Sequence, residues 1–164
     1  MIYLELLKAL EEKGIRYVVV GGVAVVLHGF VRATIDLDLI VSLEAANTSW
    51  FLQLVKELGY RPKMPVLLED FADVEKRKEW AETKGMLVFS LHHSKRIQEL
   101  VDIFVKEPIP FEEIYARRIQ VPVEGCMIQV ASRQDLKVLK RIAARPQDLE
   151  DIRALDELEK RQKS

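Results

Sequence analysis

The sequence predicts an α/β (α+β) fold, a mixed central β-sheet flanked by helices and closed by a C-terminal helical pair. Three observations carry this. Helical and strand patterns alternate along the chain, no repeat or low-complexity segment interrupts them, and no linker is long enough to divide the 164 residues. One domain over 1–164 is therefore expected, with a core of about 14–130 and C-terminal helices over about 132–162. A composition that is 49% hydrophobic and 31% charged is ordinary for a chain that buries a core of this size.

Leu4, Leu7, Ala9 and Leu10 recur at helical spacing until Gly14, which stops the first helix, and "IRYVVV" follows as a buried strand. After Gly21 and Gly22, the short stretch "VAVVLHG" ends in glycine and reads as a small helix despite its β-branched residues. "TIDLDLIV" is the next strand. "AANTSWFLQLVKELG" has apolar residues at Trp50, Leu52, Leu54, Val55 and Leu58 and closes on Gly59, the pattern of a long helix. Pro62 and Pro65 mark a loop, and the charged run from Glu69 to Lys84 reads as helix. "MLVFSLH" and "LVDIFV" are two strands and a candidate hairpin. "PFEEIYARR" is a short helix with Pro110 near its start, "IQVPV" and "MIQV" are short strands around Glu124 and Gly125, and the tail is two helices separated at Pro146.

Charge and cysteine content exclude several classes of function. With 25 basic and 26 acidic residues the net charge is −1, so no global positive field drives non-specific nucleic-acid binding. The single cysteine, Cys126, can form neither an internal disulfide nor a cysteine-rich zinc site, which suits a reducing cytoplasm, and its expected role is packing. The longest nearly apolar run, Tyr17 to Leu27, is too short for a membrane span, which needs about 20 residues. The first helix also lacks the order of a signal peptide. A cytoplasmic protein without a membrane segment is the expectation.

The chemically informative feature is the pair of acids in "IDLDLIV". Alternation puts Leu37, Leu39 and Val41 on one face and Asp36 and Asp38 on the other, about 6 to 7 Å apart. A D-x-D on a strand is by itself most simply a solvated face. Three further features favour a site. Asp102 lies inside another apolar strand, where an unpaired charge is costly. Gly21 and Gly22 sit between a strand and a helix, where backbone N–H groups can face an anion without a Cβ in the way. Arg32 lies between the two motifs, placed for an ion pair or a phosphate contact. Three strand carboxylates repel one another unless divalent cations bind them, and Mg²⁺ held by a few carboxylates plus substrate phosphates is the usual arrangement for phosphoryl transfer.

"GGVAVVLHGFVRATIDLDLIV", followed at a distance by "LVDIFV", resembles the nucleotidyltransferase superfamily related to DNA polymerase β. It is similar above all to small bacterial members, including those of the AbiEii type found in toxin–antitoxin and phage-defence systems, where "GG.A...HG..R.T.D.D" recurs. The tail "DLKVLKRIAARPQDLEDIRAL" is similar to that group's C-terminal pattern, so the resemblance runs from about Tyr17 to Leu155. It implies the polymerase β-like fold and a metal-dependent transfer of a nucleoside monophosphate from a triphosphate, ATP being the expected one. The acceptor hydroxyl would belong to a small molecule, a protein or an RNA. It assigns Asp36, Asp38 and Asp102 to Mg²⁺ or Mn²⁺, with Asp102 nearer the acceptor hydroxyl, and Gly21, Gly22 and Lys140 to the phosphates. The chain departs from the pattern at Gly22, where many members carry a serine whose hydroxyl meets a phosphate. The alternative reading is the same fold kept as a binding or regulatory module without catalysis.

The other polar residues have plainer roles. His28 is expected to be a packed, hydrogen-bonded residue, and His92 and His93, being adjacent, point to opposite faces and are expected to be solvated loop residues. Lys137, Lys140 and Arg141 share a helical face that is either solvated or a phosphate contact, with Lys140 itself expected to be exposed. Asp148 and Asp151 are expected to support the start of the last helix, and Leu149, Ile152 and Leu155 to anchor it. Trp50 and Trp80 are expected in the core or at its rim.

Overall fold

The computed structural model describes residues 1–164. Seven helices and seven strands alternate in the order α1 (Leu4–Glu12), β1 (Tyr17–Val20), α2 (Gly21–Leu27), β2 (Asp36–Val41), α3 (Ala45–Glu57), β3 (Tyr60–Pro62), α4 (Val74–Glu82), β4 (Val88–His93), β5 (Leu100–Phe104), α5 (Phe111–Arg117), β6 (Ile119–Val123), β7 (Cys126–Val130), α6 (Arg133–Ala143) and α7 (Pro146–Lys163). The strands form one sheet in the order β3-β4-β5-β2-β1-β7-β6. It is mixed, as expected: β2 runs parallel to β5 and antiparallel to β1, while β1 and β7 are parallel. The candidate hairpin is real, β4 pairing antiparallel with β5.

Burial explains why the central strands are so apolar. Tyr17 to Val20 are all buried, as are Leu37 and Leu39 of β2 and Val101 and Ile103 of β5. In β2 and β5 the alternate residues Asp36, Asp38 and Asp102 are only half-buried, so these two strands carry a dry face and a wet one. One contiguous core cluster runs from Tyr3 to Leu155, which ties the last helix to the same interior as the first. The β-branched α2 is held by this burial rather than by intrinsic preference, since Val23 and Val25 are in the core. No helix is long and apolar enough to cross a membrane. Cys126 is a free, buried cysteine, in keeping with a packing role.

Several local expectations need correction. The loop inferred from Pro62 contains the edge strand β3, in which Pro62 pairs with Leu91; an edge position tolerates a proline. The charged run does not form one helix. A 3-10 turn covers Leu68–Ala72, and Asp73 then starts α4 by accepting hydrogen bonds from the backbone N–H groups of Glu75 and Lys76 at 2.9 and 3.2 Å. His92 and His93 lie on β4 rather than in a loop, and His93 is buried, its Nδ1 accepting from the backbone N–H groups of Lys95 and Arg96. Trp80 stacks on Phe89 in the core, but Trp50 is 55% exposed. Of the apolar stripe on α7 only Leu155 is fully buried; Ile152 is half-buried and Leu149 is exposed.

Candidate active site

The half-buried acids of β2 and β5 face a pocket of about 310 Å³. Parallel pairing sets Asp38 directly beside Asp102, and Asp36, one pleat period along β2, lies on the same face. In the same row β4 places Ser90 opposite Asp102, and the Ser90 hydroxyl donates to Asp102 Oδ1 at 2.6 Å. Across β2 from Asp102, Val20 pairs with Asp38 and leads into Gly21. The sheet thus aligns Ser90, Asp102, Asp38 and the glycine turn across four adjacent strands.

None of the three carboxylates has a salt-bridge partner, although thirteen such pairs exist elsewhere in the chain. Their electrostatics record this. Burial, reinforced by Asp102 and Asp36, pushes the Asp38 carboxyl up to about 7, against the weaker pull of Lys140 and Arg145. Asp36 is also raised, by burial first and then by Asp102, with Lys63 opposing. A half-buried carboxylate cluster without an internal counter-ion is the donor chemistry that a hard divalent cation satisfies. No three His, Cys, Asp or Glu side chains are gathered into a ready-made ion cage. Mg²⁺, however, takes only one or two carboxylates and completes its shell with water and phosphate oxygens, so the residues present fit such an ion.

The glycine turn touches these acids. Gly21 has φ +67°, and a Cβ there would stand 2.0 Å from Asp38 Oδ2, so the backbone approaches the carboxylate as no other residue could. At Gly22 a Cβ would meet Thr34 Oγ1 at 2.5 Å and the Arg32 guanidinium carbon at 3.3 Å. The position where the family pattern often has serine is therefore packed under the side chains of Arg32 and Thr34. A serine could enter only if Thr34 moved, and the threonine already carries a hydroxyl to this corner.

Helices α6 and α7 form the opposite wall, contributing Leu136, Leu139, Lys140, Ala143, Arg145, Gln147 and Asp148. The expected exposure of Lys140 is wrong: only 5% of the residue is exposed. Its ammonium lies 2.6 Å from Asp151 Oδ2 and 3.7 Å from Asp148 Oδ1. Arg32 binds the same Asp151 oxygen. Asp148 supports the start of α7 as expected, accepting from the Arg145 backbone N–H at 3.1 Å and from Arg145 Nε at 2.8 Å. Burial would raise its carboxyl, but the Arg145 hydrogen bonds outweigh this and hold it below the usual range. Asp151 does more than support a helix start, because it is fully buried between two cations. Lys137 points away from the pocket and binds Asp156 and Glu159 of α7, while Arg141 is exposed. Only Lys140 of that triplet lines the pocket.

His28 takes the expected structural part. Its Nε2–H donates to the Ala131 carbonyl at 2.8 Å and its Nδ1 accepts from Arg133 Nε, tying α2 to the start of α6. Burial, with Arg133 beside it, keeps the imidazole below its ordinary pKa, in keeping with that neutral tautomer. The sequence reading missed Ser90, Thr34, Arg145 and the burial of Asp151. The repeated acids in "RPQDLED" were the available signal for Arg145 and Asp151, whereas Ser90 and Thr34 are visible only once strand register is known.

The chain resembles solved nucleotidyltransferases across nearly its whole length. It is 18% identical to a lincosamide antibiotic adenylyltransferase, LnuA, with 94% of each chain covered and a TM-score of 0.60. It is 16% identical to ANT(2″)-Ia, captured with adenylyl-2″-tobramycin, covering 96% of this chain and 91% of that one at a TM-score of 0.60. A nucleotidyltransferase-like protein from Thermotoga maritima is 14% identical, with 93% and 91% covered and a TM-score of 0.54. At these identities the likeness establishes the fold. No curated protein matches the chain in sequence. The model of one protein family, described as "Nucleotidyltransferase of unknown function (DUF6036)", matches residues 3–160, and the chain belongs to that family.

Proposed function

We propose that this protein is a Mg²⁺-dependent (or Mn²⁺-dependent) nucleotidyltransferase that moves a nucleoside monophosphate from a triphosphate, ATP in the first instance, to an acceptor hydroxyl. The observation that carries the reading is the charge division of one pocket. Three acids without counter-ions stand on the sheet, and Arg32, Lys140 and Arg145 stand on the facing elements. A metal-bound triphosphate has the complementary layout, cationic on the metal side and anionic along the phosphates.

Asp36 and Asp38 would hold the cation, with Asp102 beside them. When bound, the ion neutralises charge on the triphosphate and on the leaving pyrophosphate. Asp102 takes the proton of the acceptor hydroxyl, and Ser90, donating to Oδ1, leaves the other carboxylate oxygen for that task. The acceptor oxygen attacks the α-phosphorus, the bond to the bridging oxygen breaks, and pyrophosphate leaves. The backbone of Gly21 and Gly22, with Arg32 and Lys140, contacts the phosphates, and Arg145 lies at the exposed rim. Positioning and charge neutralisation carry most of such catalysis.

The neighbours named for lincosamide and tobramycin support a small polyhydroxylated acceptor as the first class to test; RNA ends and protein hydroxyls follow. The alternative of a non-catalytic module rests on the absence of serine at position 22, where Thr34 Oγ1 takes up the space of a side chain. The test is incubation with each nucleoside triphosphate labelled at the α-phosphate, Mg²⁺ and an acceptor panel. Label transferred to an acceptor with release of pyrophosphate supports an enzyme. Binding of triphosphate without transfer or pyrophosphate release across the panel supports the module.

A further inference from the structure

We infer that Asp151 is a positioning residue for the nucleotide: one carboxylate oxygen holds both Arg32 and Lys140 in the orientation that meets the phosphates. The inference rests on the nucleotide-binding reading above and extends it to a residue outside the pocket lining.

Asp151 Oδ2 accepts from Lys140 Nζ at 2.6 Å and from Arg32 Nη1, which come from different parts of the chain, the segment before β2 and the α6 helix. Asp151 is fully buried, and its second oxygen, Oδ1, is buried without a hydrogen-bond partner. A carboxylate kept dry with one oxygen orphaned is costly, and a helix start is already served on α7 by Asp148. What Asp151 secures is convergence. Both cations line the pocket, are themselves largely buried, and have long side chains that lose orientation when the shared acceptor is removed. Arg32 Nε donates to the Ala33 carbonyl at 3.2 Å, and each cation still retains further N–H donors for phosphate oxygens.

Binding of the α,β-methylene analogue of ATP with Mg²⁺ to Asp151→Asn, Lys140→Gln and the double variant provides the test, because this ligand reports positioning without turnover. Asp151→Asn weakens binding about tenfold or more, and Lys140→Gln costs little further in that background. Unchanged or tighter binding by Asp151→Asn, or additive losses, overturns the inference, since a plain counter-ion would release cations to the phosphates. If Asp151→Asn fails to fold, the cycle is run between Arg32→Gln and Lys140→Gln. Their losses are non-additive through the shared oxygen and additive if the two cations are held separately. A second readout needs no nucleotide: the ¹⁵N resonances of the Lys140 ammonium and the Arg32 guanidinium are protected from solvent exchange in the wild type, and both lose protection in Asp151→Asn. Protection of either one in that variant overturns the shared anchor whatever the protein binds. Absence of binding of any nucleoside triphosphate by the wild type, with both resonances protected, overturns the nucleotide reading and the inference with it.

Discussion

The two walls of the pocket handle charge in opposite ways. On the sheet, Asp36, Asp38 and Asp102 are gathered without a cation, and the Asp38 carboxyl is pushed up to about 7 by burial and by its neighbours. On the helical side every cation has an acid within reach: Lys140 and Arg32 share Asp151, and Arg145 holds Asp148. A wall whose three cations are already held by two acids can be rigid in the absence of ligand and still keep a positive excess for phosphates. The other gathers acids without a counter-ion, which a divalent cation would supply under the proposed reading, so ligand and metal are expected to act mainly on the sheet side while the facing side supplies a fixed frame.

The largest effects should come from the sheet wall. Asp102→Asn is expected to lower kcat by about 10²-fold to 10⁴-fold with little change in thermal stability, as for loss of a general base. A variant that turns over normally would remove Asp102 from the proposed chemistry.

The next effect is a pH dependence that only this wall should show. Because the folded-state pKa of Asp38 lies above its ordinary 3.8, the folded chain binds a proton that the unfolded chain has released between about pH 4 and 7. Stability contributed by this group is therefore present at low pH and lost as pH rises to 7, by at most about 4 kcal/mol. Asp38→Asn should flatten the decline of Tm measured in chelator from pH 5 to 8. Parallel curves for wild type and variant would show that burial and the neighbouring acids do not raise the Asp38 carboxyl.

On the helical wall the effects should be structural as well as functional. Lys140→Met leaves Asp151 and Asp148 short of a buried partner and is expected to cost about 3 kcal/mol in denaturant melts, moderated by the Arg32 contact that remains. An unchanged midpoint would mean that the lysine is solvated rather than buried. Smallest of all is Leu149→Ala, at an exposed position, expected within about 0.5 kcal/mol of wild type, whereas Leu155→Ala in the core should cost about 2 to 5 kcal/mol. Equal costs would show that α7 packs along its whole stripe.

The same contrast explains what could be read from the sequence. Strand alternation in "IDLDLIV" and "LVDIFV" separates a dry face from a wet one locally, so the acids and the strands that carry them are legible in the sequence. The glycine pair between strand and helix was legible for the same reason. The tail was not. Helical spacing puts Lys137, Lys140 and Arg141 on one face but does not say what covers it, and α7 covers the three residues differently. Asp151 looked like a helix-start acid because its partners lie 119 and 11 residues away. Ser90 and Thr34 acquire meaning only through cross-strand register and the space above Gly22.

The central claim is that the three sheet acids recruit a divalent cation that carries the triphosphate into the pocket. Calorimetric titration with ATP and with the other nucleoside triphosphates, with Mg²⁺ and in excess chelator, tests it most directly. The account predicts binding of at least one triphosphate that requires Mg²⁺ and is lost in Asp38→Asn. Equal affinity with and without the metal, or undiminished binding by Asp38→Asn, would contradict it.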